Sequence, residues 1–462
     1  MAGDTGVYRL GSRDIPVLGD FDVVVCGGGP AGVPAAMAGR RQGLSVLLVE
    51  GLGQLGGMGT AGMVSLWLGG RTGDCNRWVV GGIFRQMATE AAQRGFALLP
   101  QAQANRKYHP FGWKDHLLHG IPFDPFAMAA YLDEKVTEAG VEVLLMTQAF
   151  DAAVEGRRIT HVILCNKNGL SAVKAKAFID ATGDADIAAR SGCDVIAGRE
   201  EDGLMMPATL MFIVDRVDQD ALSAYIHQHE AVRFADEISR LRSAGKWPFP
   251  YDIFISIQLT EKGTMLINTS RLCGVDGTDA ASVTEGLIRG RAEVRQLLVI
   301  MREHFPGFAN ARLKAVAPAL GIRETRRICS HFTMTVDDVL NGRQFPDTIG
   351  FSSYEWDVPD AKRPSYQAMH KQDVPKPTVT PIPYRIMIPR PIENLICPGR
   401  PVSVEHQVLG PLRVMGPCFA MGEAAGQAAR QVVRHGVAFG EVNVQELRDE
   451  LKANGAIVDW DQ

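Results

Sequence analysis

Phe21-Asp22-Val23-Val24-Val25-Cys26-Gly27-Gly28-Gly29-Pro30-Ala31-Gly32 is the stretch whose reading decides the fold. An apolar strand runs into a G-x-G-x-x-G turn, a small-residue helix follows, and a second strand, Ser45-Val46-Leu47-Leu48-Val49, ends in Glu50. Strand, turn, helix, strand and terminal acid in that order form a dinucleotide-binding unit. Gly27 permits the tight turn, Gly29 leaves room for a pyrophosphate against the backbone, and Gly32 lets the helix pack close to the sheet. The helix N-terminus offers unpaired N–H groups and a positive dipole end to phosphates. Glu50 stands where a carboxylate accepts hydrogen bonds from ribose hydroxyls and repels a 2′-phosphate, which argues against NADP.

Outward from this unit, the composition sets bounds. The chain has 462 residues, 46% of them hydrophobic, and a net charge of -4, enough to build two domains around substantial cores. No basic run interleaved with aromatics marks a nucleic-acid surface. No apolar stretch is long enough to span a bilayer, and the polar start lacks a signal-peptide pattern, so a cytoplasmic location is expected. The eight cysteines include no C-x-x-C pair and no cluster spacing, which argues for reduced, mostly buried thiols and against a disulfide reductase.

Along the chain, Gly51 through Gly62 is too glycine-rich for a regular element and reads as backbone wrapped round a large ligand. Helices are expected over 82–95 and 124–139, then a strand over 141–147. Residues 159–165 and 171–180 alternate as a β-hairpin, and Ala181-Thr182-Gly183-Asp184 leads into a short helix closed by Gly192. Strand-rich patches at 208–214 and 252–268, an amphipathic helix over 279–304 and a proline-rich stretch over 345–391 lack the βαβ rhythm. Strand character returns at Leu395-Ile396-Cys397, followed by Gly399-Arg400 and a helix near Gly416 rich in alanine and glycine. The division expected is a first part of a nucleotide-binding domain over 1–200, a substrate or cap domain over 201–384, and a completion of the first domain over 385–462.

Four separated motifs together resemble the FAD-dependent oxidoreductases of the glutathione-reductase-like flavoprotein superfamily: Gly27–Gly32 with Glu50, Gly56-Gly57-Met58-Gly59-Thr60, Ala181–Asp184, and Gly399-Arg400 with its following helix. Within it, Gly321-Ile322-Arg323-Glu324-Thr325-Arg326-Arg327, Phe345-Pro346-Asp347 and the segment from Asn394 to Gly426 look like the broad FAD-dependent oxidoreductase family, distantly similar to fumarate reductase and succinate dehydrogenase flavoproteins. The resemblance implies an α/β fold: a Rossmann-like FAD-binding domain with a central parallel sheet and a β-meander, and a mixed α+β substrate domain inserted before the C-terminal part. It implies FAD as cofactor. Gly27, Gly29, Pro30, Ala31 and Gly32 would contact the pyrophosphate, Glu50 and Gly51 the adenosine side, and Gly57, Met58, Gly59 and Thr60 the pyrophosphate and flavin. Backbone around Phe150 would meet the adenine. Ala181, Thr182, Gly183 and Asp184 would close over the diphosphate, Gly399 and Arg400 over the ribityl chain, and the helix start at Met415 and Gly416 would aim at the flavin pyrimidine edge. The chain departs from the family pattern at Trp356-Asp357-Val358-Pro359-Asp360.

The chemistry such a flavoprotein needs from its side chains is an acid or base and a grip on substrate charge. His406 is the candidate base, against a structural loop histidine. Arg413 is a candidate carboxylate clamp. Arg323 and Arg326 share one face if 320–328 is helical, as an anion-binding pair or as internal salt bridges. His109, His116 and His119 lie in an aromatic segment that reads as a lid, with no matching ligand set for a metal, and Cys75 is a candidate covalent flavin attachment set against an inert thiol. The expected reaction is hydride removal from a small hydroxy or amino compound, with oxygen, a quinone or a carrier as the undetermined electron acceptor. Alternatives are reduction of an activated C=C bond in a carboxylate, a non-catalytic redox-sensing flavoprotein, and an NAD-dependent dehydrogenase, which leaves the later motifs unexplained. A homodimer is the base-rate expectation.

Overall fold

The computed structural model describes residues 11–100, 120–229, 233–363, 365 and 379–461. The histidine-rich segment 109–119 lies outside the described residues.

Val17–Cys26 pairs in parallel with Val46–Val49 on one side and with Gly169–Asp180 on the other, and Val46–Val49 pairs in parallel with Glu142–Leu144. Val23 to Cys26 and Val46 to Val49 are buried on both faces, which is why they read as unbroken apolar runs rather than as alternation. Beyond Gly169–Asp180 the order continues, now antiparallel, through Arg158–Asn166 and Gln148–Glu155. The central sheet is therefore mixed, the meander being continuous with the parallel strands. Gly169–Asp180 forks: residues 169–174 pair with the meander, whereas Phe178 and Ile179 pair in parallel with Leu395 and Ile396. The late segment of the chain thus enters the first sheet.

Its helix, Met415–His435, packs on Gly32–Arg41. A Cβ at Gly422 would lie 2.0 Å from the Ala31 carbonyl oxygen, and one at Gly426 2.1 Å from that of Ala35. The small residues are there because the two helix backbones nearly touch.

A second sheet is antiparallel, in the order Ser256–Gln258, Met265–Ile267, Phe212–Asp215, Arg312–Val316. The long helix Ala280–His304, started by an Asp279 side chain that accepts from the Ser282 N–H, covers it and brings Gly286 and Gly290 close to Leu320 and Leu210. This second core is built from residues 208–320 together with Met63 and Leu66, while buried residues from Met334 to Ile388 join the first core.

Helices Gly82–Gln93 and Pro125–Glu138 stand where expected, the second capped by Asp124, whose side chain accepts from Phe126 and Ala127 N–H. Residues 320–328 are not helical. Gly321 bridges Thr209, and Arg326–Ile328 is a strand paired antiparallel with Val195–Ala197, so β pairing to distant residues overrides the local spacing. The strand expected over 141–147 ends at Leu144, because Met146 takes φ +51° and the next strand begins at Gln148.

Candidate functional site

A cavity of about 600 Å³ runs from the glycine turn to the wall formed by the second core. At the first end it is lined by Gly27, Gly29, Pro30, Ala31, Glu50, Gly51, Gly57 and Met58, with Ala181 to Asp184, Gly399, Arg400 and Met415 around its sides. Gly27 takes φ +101°, and a Cβ there would lie 2.4 Å from the Ala181 carbonyl oxygen. Gly32 does not line the cavity. A Cβ on it would sit 1.7 Å from the Gly27 carbonyl oxygen, so its smallness serves the turn itself.

Gly29 is different. A Cβ there would meet only the Gly57 Cα, at 3.9 Å, so nothing in the protein forbids a side chain. It would instead fill the cavity directly over the start of Gly32–Arg41, a helix with no side-chain cap. A cradle that stays empty of protein, beside unpaired N–H groups, fits a diphosphate. The start of Met415–His435 also lacks a side-chain cap, and its flanking Val414 and Met415 line the cavity. The residues present therefore fit FAD.

Glu50 is buried, with Oε2 accepting from the Gly28 N–H at 2.6 Å and Oε1 from the Leu52 N–H at 2.7 Å. Burial raises its pKa against those bonds. Asp184 Oδ1 accepts from Thr325 Oγ1 at 2.6 Å and from Arg400, tying the Ala181–Asp184 turn to the Gly399-Arg400 turn. Beneath them Asp180 accepts from Thr182 Oγ1 at 2.6 Å and from the Ala188 N–H at 2.9 Å, and burial pushes its carboxyl up to about 6. Gly59, Thr60 and Gly416 lie behind this wall: Thr60 Oγ1 donates to the Leu55 carbonyl, and Gly416 is pressed against Leu68 and Gly70. Thr147, Gln148 and Ala149 line the cavity where Phe150 was expected, and the Phe150 ring is exposed. Cys75 does not line it.

At the other end stand Thr209, Met211, Leu287, Arg323, Tyr354, Asp357 and Arg413. Arg413 Nη2 donates to Asp357 Oδ2 at 2.9 Å and to the Asp357 carbonyl at 2.7 Å, and Tyr354 Oη donates to the same Oδ2 at 3.1 Å. Burial, reinforced by the Asp357 charge, raises the Tyr354 pKa and keeps the phenol protonated. Arg323 Nη1 donates to the Pro207 carbonyl and, at 2.9 Å, to Thr209 Oγ1. Arg271 is buried behind it, with Nη1 3.2 Å from the same Thr209 oxygen.

Two expected catalytic residues are elsewhere. Arg326 donates to Asp186 and to the Asp184 carbonyl, both at 3.1 Å, and does not line the cavity with Arg323. His406 is buried outside the cavity lining, its Nδ1 2.7 Å from Glu324 Oε1, an oxygen shared with Arg327. It belongs to a buried charge network rather than to the cavity wall, and so has no direct reach to a ligand there. Tyr354 and Arg271 were missed. Asp357 lies in the stretch marked as departing from the family pattern, which was the available signal.

The family described as FAD dependent oxidoreductase matches residues 22–451. A Methanosarcina barkeri protein described as an uncharacterized protein in the nifH2 5′ region is 27% identical over 190 residues, 40% of this chain and 95% of that one. Among solved structures, a geranylgeranyl bacteriochlorophyll reductase-like protein from Thermoplasma acidophilum is similar at 12% identity and a TM-score of 0.48, covering 94% of this chain and 84% of its own. The p-nitrophenol 4-monooxygenase PnpA from Pseudomonas putida is similar at 11% identity and a TM-score of 0.47, with the same coverages.

Proposed function

Because this chain belongs to the FAD-dependent oxidoreductase family, we propose that it removes a hydride from a small hydroxy or amino compound held at the Tyr354–Asp357–Arg413 end of the cavity. FAD, when bound, supplies the hydride acceptor. The first turn of Gly32–Arg41 would hold its diphosphate through backbone N–H groups, with Gly29 keeping the approach clear. Glu50 shapes the adenosine side.

The observation that carries the reading is that one cavity joins this cradle to a positioned proton carrier. Tyr354 Oη donates to Asp357, which leaves the phenol oxygen as an acceptor for a substrate proton. As that proton arrives at Oη, the phenol's own passes to Asp357 Oδ2. Arg413 fixes the carboxylate for this role, and Met211 and Leu287 line the cavity at the same end.

The reverse direction, reduction of an activated C=C bond, draws support from the protonated state of Tyr354, which suits it to act as an acid. An anaerobic visible spectrum of the purified protein tests the first reading. Bleaching by one class among polyols, hydroxy acids, amino acids and amines is expected; bleaching by none, with turnover of enoates by an artificial reductant, favours the reverse. A protein that takes up no FAD refutes both.

A further inference from the structure

The charges at the substrate end of the cavity do not balance. Arg323 and Arg413 line it and Arg271 lies directly behind, so three guanidiniums share a region whose carboxylates, among the described residues, are Asp357 and, on the Tyr354 side, Glu355. Burial, and then the like charges of Arg271 and Arg413, depress the Arg323 pKa well below the usual range. Arginine keeps its proton in proteins, so the strain appears as an unfavourable excess of positive charge. Thr209 Oγ1, the group between Arg271 and Arg323, is neutral.

Three other arginines near this cavity each have a carboxylate. Arg400 is held by Asp184, Arg326 by Asp186, and Arg327 by Glu324 and Glu200. For Arg323 the hydrogen-bond acceptors are a carbonyl and a hydroxyl. An incoming anion is the natural complement: it neutralises the excess and accepts from planar donor groups that suit a carboxylate. The neighbouring wall is apolar, with Met211, Val283 and Leu287, so the anion would carry a short hydrocarbon body.

We propose that Arg323 and Arg413, backed by Arg271, form a carboxylate subsite, so that the substrate is a small organic acid rather than a neutral alcohol or an amine. The proposal rests on the oxidoreductase reading above and places the acid's reacting carbon beside Tyr354.

The test is equilibrium binding to the FAD-loaded protein, read both by calorimetry and by perturbation of the oxidised flavin absorbance. The probes are acetate, glycolate, malonate and succinate, their uncharged amides, and inorganic phosphate. At least one carboxylate is expected to bind about 30-fold more tightly than its amide, and Arg323→Gln and Arg413→Gln each to weaken it by about 30-fold. Arg240→Gln, at an exposed position of the helix Ala235–Ser243, should leave binding unchanged. If a glutamine variant loses FAD, Arg323→Lys and Arg413→Lys keep the charge without the planar fork, and intermediate affinity is expected. Equal binding of acids and amides overturns the proposal, as does phosphate binding more tightly than every carboxylate. A flavin bleached by neutral alcohols or amines, in a protein that binds no carboxylate, overturns it while leaving the oxidoreductase reading intact.

Discussion

Gly29→Ala separates the needs of the ligand from those of the fold. Gly29 is not among the glycines with positive φ, and its would-be Cβ has no protein neighbour nearer than 3.9 Å. The apoprotein should therefore fold, gaining about 0.4–1 kcal/mol from the stiffer unfolded chain. The methyl group projects into the cavity, where it displaces a diphosphate from the first turn of Gly32–Arg41. Losing one or two charge-assisted hydrogen bonds of about 1.5–3 kcal/mol each gives a penalty near 3 kcal/mol, about 150-fold in the Kd for FAD. The comparison variant is Gly32→Ala, whose Cβ would lie 1.7 Å from the Gly27 carbonyl oxygen. That variant should fail to fold with or without cofactor. The assay strips FAD, records the thermal midpoint of each apoprotein, and titrates FAD back by fluorescence quenching. An apo Gly29→Ala protein with FAD affinity within about threefold of wild type, under 1 kcal/mol, refutes the cradle.

Three further outcomes are expected. Tyr354→Phe should keep its FAD and lower the rate of flavin reduction by about 10²–10⁴-fold, measured by stopped flow; an unchanged rate removes the proton-carrier role. His406→Ala should reduce its flavin within about threefold of wild type while losing about 1–3 kcal/mol of stability, because its partner Glu324 is buried and the ring lies outside the cavity wall; a far larger rate loss shows that it does reach the chemistry. Glu423, buried and accepting from the Ile83 N–H at 3.0 Å, has its carboxyl pushed up to about 7 by burial from 4.5. The unfolded chain ionises first, so stability falls as pH rises from about 4.5 to about 7 and stays low above that, by about 3 kcal/mol. Glu423→Gln should shrink the difference in thermal midpoint between pH 5 and pH 8, and an unaltered difference would count against this assignment.

The nucleotide-binding unit was legible because its demands are local. A turn in which one backbone atom would occupy the place of a Cβ can be made only by glycine, and that requirement is written in Gly27 and Gly32 themselves. The later motifs could be placed beside it only through resemblance, and the fold brings Met58, Ala181–Asp184, Gly399 and Arg400 to the same cavity. Phe150 shows the limit of register: the residues one to three positions earlier reach the wall, while its own ring faces solvent. The far end of the cavity, around Tyr354 and Arg413, was much less legible. Tyr354 and Asp357 lie in irregular chain with no period to reveal a face, and Arg271 matters through Thr209, some sixty residues away. Arg323 and Arg326 were spaced like a helix pair, but strand pairing turned one to the cavity and the other to Asp186.

Leu66–Trp67 pairs with Ile121–Pro122 in a two-stranded ribbon only two residues long. Alternation along an extended backbone sends Leu66 into the second core and Trp67 into the first, and Leu66 also lines the cavity. The cavity wall is thereby a rib common to both cores, and neither core can open far without loosening it. A ligand that binds only when this rib is in place stabilises everything the rib supports by mass action. Cofactor occupancy should accordingly slow amide hydrogen exchange across the sheet around Phe212 and Met265, whose residues do not line the cavity, as well as at the glycine turn.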